Sequence, residues 1–417
     1  MSVAPGGAER TPRIAGGRAG HGERMRIIVA GLIARYPLAG MAWHYLQYVL
    51  GLAALGHDVY YIEDSGEWPY DAALRQPAQR ADVNVAYLAD IMARHGLADR
   101  WAYRVPDLDG DRWFGLSDAR RNSVVANADL LIDVSGTVDR PEAYRAVGRL
   151  AYVDTDPVFV HIRLARGEPR LVERVGVYDV HFSFGERVAE RVAATGRPWL
   201  PTRQPVVPSL WRTEAPPRPV YTTVMNWSSY ASEVHQGRRY GQKSAEFLRF
   251  VELPLRAAPV RLEIAAGPGY REHTPAARLR AHGWRVRDAA RLCPDPERYR
   301  RYIQRSKGEL SVAKNAYVTG CAGWFSERSA CYLAAGRPVI VQDTGFADDL
   351  RRDAGIVSFS TPDEAVEAVR EVEADYTRHA AAARAIAEEC FRADVVLREL
   401  VERAVAGDSR LTETACR

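Results

Sequence analysis

Residues 306–346 read SKGELSVAKNAYVTGCAGWFSERSACYLAAGRPVIVQDTGF, and the order of elements within them decides the fold. The run at 308–313 predicts a buried strand, and a loop carrying Gly320 and Gly323 follows it. Ser326 and Glu327 then stand where an N-cap and a first-turn acid open a helix. The turn Gly336-Arg337-Pro338 ends that helix, and the apolar run at 339–342 predicts a second strand. Strand, loop, helix, strand is the repeating unit of a parallel α/β sheet. A loop feeding a helix N-terminus offers unpaired backbone N–H groups and the positive end of the macrodipole, which suits a phosphate or diphosphate. The same unit also occurs in α/β domains that bind no anion, so other residues must carry the functional argument.

Lysine usage supplies some of it. Lys243, Lys307 and Lys314 are the three lysines among 57 Lys and Arg residues. Arginine does not reproduce a compact ammonium at a tight site, so a lysine kept against such a bias marks a candidate. Lys314 lies just past a predicted strand and Lys243 follows the loop after another, whereas chance survival explains any one of them equally simply.

A chain of 417 residues predicts two domains. Its net charge of +4 is too slight to argue for nucleic acid, and no basic run is interleaved with aromatics. Cys293, Cys321, Cys331, Cys390 and Cys416 show no CxxC, no paired spacing and no His cluster, so neither a disulfide framework nor a zinc site follows, and a reducing cytoplasm fits best. Residues 1–24 are rich in Gly, Ala and Arg and lack the apolar core of a signal peptide, so they read as a disordered tail. No apolar stretch is long enough to cross a bilayer. A homodimer is compatible with all of this.

The chain outside the opening stretch repeats its logic. RIIVAG at 26–31 predicts a buried strand, 41–55 an apolar helix closed by Gly56, and DVYYIE at 58–63 a second strand. Further strands are expected at 128–134, ending at Ser135-Gly136, at 149–153, ending at Asp154-Thr155-Asp156-Pro157, and at 179–184. A helix is expected near 81–95 and an irregular loop at 104–117. The Pro-dense segment 201–219 breaks the pattern. Strands at 221–225, 261–265 and 284–287 follow it, with helices at 243–252 and 295–304 and a helix from Thr361. The division is a tail at 1–24, a first domain at 25–212, a linker at 213–220, a second domain at 221–392, and a crossing helix and tail at 393–417.

The order strand, Gly-Trp, Ser/Glu-led helix, Ala-Gly-x-Pro turn, strand resembles the nucleotide-sugar half-site of GT-B glycosyltransferases, and LGLAALGHDVYYIE looks like their first β–α–β unit. The resemblance implies an α/β fold of two Rossmann-like domains facing across a cleft, with a C-terminal helix crossing back. It covers most of the chain at the level of fold and about forty residues at the level of motif. Retaining members carry two glutamates before the Ala-x-Gly-x-Pro turn where this chain has Gly323 and Cys331. The plant-type box is matched only at Gly323-Trp324 and Ser326. The resemblance therefore names a superfamily and leaves the stereochemistry open.

Glycosyl transfer needs a held leaving diphosphate, stabilisation of its charge and, for inversion, a base for the acceptor proton. The resemblance implies donor contacts at Lys314, Gly323 and Ser326, ribose contacts at Glu327 and sugar contacts at Asp343 and Thr344. Asn226 and Trp227 end the first strand of the second half, at a pyrophosphate-approach loop, and Lys243 follows them. The base candidates are Asp156, Asp154 and His44, with His161 a weaker one. The two aspartates spell the DxD of metal-binding GT-A enzymes, but they serve equally as turn caps before Pro157. His44 has the right intrinsic pKa, though a lone His on an apolar helix also serves packing. Gly40 and Trp43 fall on the acceptor side, with Tyr36, Trp68, Trp101 and Trp113 as further aromatic candidates. Asp107-Leu108-Asp109-Gly110-Asp111 lacks the glutamate that would complete a calcium loop and reads as a solvated turn.

The expected activity is metal-independent transfer from a nucleotide diphosphate sugar, a co-substrate rather than a cofactor, to a small-molecule acceptor such as a natural product or sugar. The rivals are a nucleotide-sugar 2-epimerase of the same fold and a non-catalytic nucleotide-sugar-binding protein.

Overall fold

The computed structural model describes residues 24–72, 74–107, 110–267, 269–270, 272–346, 350 and 354–406. The tail expected at 1–24, apart from Arg24, and the end of the segment 393–417 beyond 406 lie outside these residues.

The first sheet consists of β1 (Arg26–Ala30), β2 (Asp58–Glu63), β3 (Trp101–Val105), β4 (Arg112–Gly115), β5 (Leu130–Val134), β6 (Arg149–Asp154), β7 (Val180–Ser183) and β8 (Leu200–Pro201). Its order is β8-β7-β6-β5-β1-β2-β3-β4, parallel throughout except for the β3–β4 pair. The second sheet consists of β9 (Tyr221–Met225), β10 (Leu262–Ala266), β11 (Arg285–Asp288), β12 (Gly308–Ser311), β13 (Val339–Gln342) and β14 (Ile356–Phe359). Its order is β11-β10-β9-β12-β13-β14, parallel throughout. Each sheet therefore starts in its middle, winds to one edge and restarts on the other side of its first strand. The reversals fall between β1 and β5 and between β9 and β12, and ligands of such sheets bind beyond the carboxyl ends of the strands at that point.

Six helices position the cleft: α1 (Ala39–Ala54), α2 (Pro157–Ala165), α3 (Pro296–Gln304), α4 (Asn315–Gly320), α5 (Glu327–Ala334) and α6 (Ala393–Ala406). β1 is apolar along its length because both faces are covered, and Ile27, Ile28 and Val29 are wholly buried. α1 ends where Gly56 adopts φ +91, the left-handed cap that glycine takes without a steric penalty. α6 crosses back and packs on α1 so tightly that a Cβ on Gly51 would lie 2.5 Å from Leu397. The two chain crossings are joined, since the Val206 amide donates to Phe391 O and the Ala393 amide to Val206 O, both at 2.7 Å. One buried apolar cluster runs from Ile27 and Trp43 through Tyr299 to Leu333 and Val339, so both domains contribute to it. Among the described residues no helix is long and apolar enough to cross a membrane.

Three expectations change. The segment expected as a loop at 104–117 holds the end of β3 and all of β4; Arg104, buried in the sheet by ion pairs to Asp64, Asp111 and Asp139, breaks the apolar pattern there. The helix expected at 243–252 is shorter, Lys243–Phe247 followed by a 3-10 turn at Leu248–Phe250. The Gly-bearing loop after β12 contains α4, whose six residues are too few to show a helical period.

Candidate active site

β6 leads to the floor of the cleft on the first domain. The chain leaves it as Asp154-Thr155-Asp156 and enters α2 at Pro157, whose fixed φ suits the first helical position. Asp154 is 1 % exposed; it accepts the Asp156 amide at 3.1 Å and faces His161 Nδ1 at 3.2 Å. Burial raises its pKa, with the hydrogen bond from His161 opposing. Asp156 projects further, towards the second domain. His44 on α1 places its Nε2 3.4 Å from Ser135 Oγ, which lies 2.7 Å from Thr155 Oγ1. Tyr45, Tyr48 and Phe184 meet the imidazole edge-on at 4.8, 6.3 and 6.2 Å between ring centres. Burial lowers the His44 pKa while Glu327 opposes the shift, which favours the neutral ring.

The opposite wall is built from β12, α4 and α5. Lys314 occupies the N-cap position of α4 and reaches across the cleft. Its Nζ donates to Asp156 Oδ2 and to the Tyr230 hydroxyl, each at 2.6 Å, and stands over the rings of Phe159, Tyr230 and Tyr317. The Tyr317 hydroxyl donates to the other oxygen of Asp156. Tyr317 stacks on Trp324 at 4.2 Å, and Trp324 Nε1 donates to Thr155 O at 3.2 Å. The backbones also meet, with the Arg187 amide donating to Ala322 O at 3.1 Å and Gly185 bridging Trp324. Gly323, at φ +75, allows this approach, because a Cβ there would lie 3.2 Å from Arg187 N. The cleft is thus closed along this edge.

α5 starts where β12 and β13 end. Ser326 caps it, its hydroxyl accepting the Arg328 amide at 3.3 Å. Glu327 and Arg328 line a narrow cleft with Gly40, Trp43, His44 and Tyr299. Arg328 spans the strand reversal of the second sheet by donating to Val224 O on β9 and Ser311 Oγ on β12, both at 2.7 Å, and to the buried Glu309. Lys243 donates to Val312 O. Desolvation, with Arg328 and Lys314 nearby, pushes its pKa well below the usual lysine range.

The structure therefore brings Asp156 and Lys314 into contact, places Gly323 on the adjoining loop, and gathers His44, Glu327, Gly40 and Trp43 around one cleft. Trp43 is nearly buried, with its Nε1 donating to Pro296 O at 2.7 Å, and Gly40 faces Tyr299. Other candidates stand apart. Asn226 is exposed at the end of β9 against Gly267, while the Trp227 ring is buried in the second core, 5.5 Å from Phe247. Asp343 accepts the Gly345 amide at 2.8 Å, and the buried Thr344 donates to Trp324 O while its own carbonyl accepts the Gly323 amide. Sequence reasoning missed Ser135, Tyr230, Tyr317 and Arg328. Tyr317 had a signal, since it lies one helical turn after Lys314, and so did Arg328, two residues past the cap.

Among the described residues no group of three His, Cys, Asp or Glu side chains is placed to hold a metal ion. Asp154 and Asp156 turn to different partners, His161 and Lys314. No family model matches the sequence, and no curated protein matches it. Solved structures are similar in fold. AviGT4, a glycosyltransferase involved in avilamycin A biosynthesis, is 14% identical over 92% of this chain and 99% of its own, with a TM-score of 0.51. HepE of Anabaena, in complex with UDP and glucose, is 10% identical over 92% of this chain and 100% of its own, at 0.55. An α-glucosyltransferase in complex with UDP and DNA is 13% identical over 91% of this chain and 98% of its own, at 0.55. The chain has their fold, GT-B, with two Rossmann-like domains and a helix that returns to the first.

Proposed function

From that fold, we propose that the chain transfers a sugar from a nucleotide diphosphate donor to a hydroxyl or amine of a small-molecule acceptor. The observation that carries this reading is the cleft itself: the N-terminus of α5, with Arg328 beside it and Lys314 on the same wall, faces the half-buried His44 on the other. A diphosphate beyond the carboxyl ends of β9 and β12 meets the first-turn amides and positive dipole of α5, which suit the charge that develops on the leaving group. Arg328 ties β9 and β12 to that helix and holds the cradle in shape. Glu327 is the ribose ligand in this reading, Asp343 and Thr344 stand behind the Gly323-Trp324 loop rather than on the sugar, and no metal is assigned to the leaving group. His44 takes the acceptor proton, and Gly40 and Trp43 border the acceptor. Support for a nucleotide ligand comes also from the UDP held by HepE and the α-glucosyltransferase, which share the fold.

A thermal-shift screen against UDP, GDP, TDP, ADP and CMP tests the reading, run on the wild type and on Lys314→Ala. A diphosphate present at a hundredfold its Kd stabilises by about 2.7 kcal/mol, an easily read shift. One diphosphate should stabilise the wild type and lose that effect in the variant. No shift with any of the five would remove the donor reading. Consumption of a matching sugar donor with no acceptor added would favour the epimerase, and binding with no consumption in any mixture the binding protein.

A further inference from the structure

Ser135 ends β5 in a conformation that serine seldom takes. Its φ is +73, in the left-handed region, and Gly136 follows at +61. Glycine is required at 136, since a Cβ there would lie 2.4 Å from the Tyr152 ring. Serine at 135 bears a conformational cost that glycine would not, and such strain gathers where a side chain is needed in one place. That place is the strand reversal between β1 and β5. There the Ser135 hydroxyl stands 2.7 Å from Thr155 Oγ1 and 3.4 Å from His44 Nε2.

We propose that Ser135 is a positioning residue that holds His44 as the Nε2–H tautomer, with the Nδ1 lone pair turned to the cleft. The Ser135 hydroxyl donates to Thr155 Oγ1, and its own lone pair then accepts Nε2–H. A neutral imidazole with its proton on Nε2 carries its basic lone pair on Nδ1. Among the described residues no other side chain or carbonyl bonds the ring, and Nδ1 is not among the sealed, unpartnered atoms. Edge-on contacts from Tyr45, Tyr48 and Phe184 restrict rotation, so one hydroxyl suffices to choose the tautomer. The chain extends across the cleft, because Thr155, which anchors Ser135, is itself gripped through its carbonyl by Trp324. Closing the cleft and orienting His44 are thereby linked. The assignment deepens the proposed function and rests on His44 being the proton acceptor there.

Long-range 1H–15N spectra of the imidazole rings of the full chain test it. The His44 signals are those lost in His44→Gln. In the wild type they should show a single Nε2–H tautomer, and in Ser135→Ala that single pattern should be lost to a mixture. Ser135→Gly relieves the strained φ and so keeps the fold, and it should show the same loss. A wild-type His44 protonated on Nδ1, or a pattern unchanged in Ser135→Gly, overturns the proposal. The spectra need neither nucleotide nor acceptor. If His44 responds as expected while UDP, GDP, TDP, ADP and CMP all fail to bind, the positioning role stands and the transferase reading falls.

Discussion

Lys314 spends two of its three ammonium donors on Asp156 and Tyr230, so in the closed cleft its charge joins the domains. Half of this was readable in the sequence. The scarcity of lysine marked Lys314, but its partner lies in the other domain, 158 positions away, where no local pattern reaches. The pair is largely screened from solvent and bonded on both sides, so its members should not act independently. In a double-mutant cycle of Lys314→Met and Asp156→Asn, followed by urea denaturation, a coupling of about 1–2 kcal/mol is expected. Additive losses would show that the contact contributes nothing to stability. Glu63 offers a second residue-scale prediction. Its buried carboxylate accepts the amides of Ala34 and Arg35 and the Tyr61 hydroxyl, and so holds the loop after β1. Burial pushes its pKa from 4.5 up to about 7, opposed by those hydrogen bonds. A carboxylate with a raised folded pKa contributes stability below its unfolded pKa and loses it as pH rises through the folded value. Denaturant melts of wild type and Glu63→Gln at about pH 4 and about pH 8 should therefore differ, the wild type losing roughly 3 kcal/mol more than the variant. Equal losses would place the Glu63 pKa near its ordinary value.

At the scale of elements, the strands of both sheets were legible because parallel strands covered on two faces are written as near-continuous apolar runs. RIIVA, LLIDV and VIVQ need no context to be read. What failed was short or inverted in character. α4 has six residues and no side-chain cap, and β3 hides an ion-paired arginine one residue from its end. Packing between elements was legible only as an expectation that the last helix returns. The contact itself depends on Gly51, where α1 and α6 approach too closely for any side chain. Valine there would meet Leu397 and Ala393 at 2.5 and 2.8 Å, so Gly51→Val should cost about 2 kcal/mol and raise amide exchange throughout 393–406. Adding Leu397→Ala should recover part of that loss. Unchanged exchange in α6 would mean that the helices separate without cost.

For the molecule as a whole, the two sheets were foreseen, but their contact was not, because it is made of backbone and of residues from distant segments. Gly185 and Trp324 bridge the domains, and Gly323 sits where a side chain would press on Arg187. Gly323→Val combines a disfavoured φ with that clash, so it should open this edge, increase the radius of gyration in solution scattering and leave the separate sheets folded. An unchanged radius would show that the loop yields without parting the domains. The return of α6 has a consequence for how the chain is made. The first domain leaves the ribosome with the outer face of α1 bare, and the helix that covers it is synthesised only after the whole second sheet. Until then that face is an adhesive surface on a nascent chain, and the domain translated first is among the last to be finished.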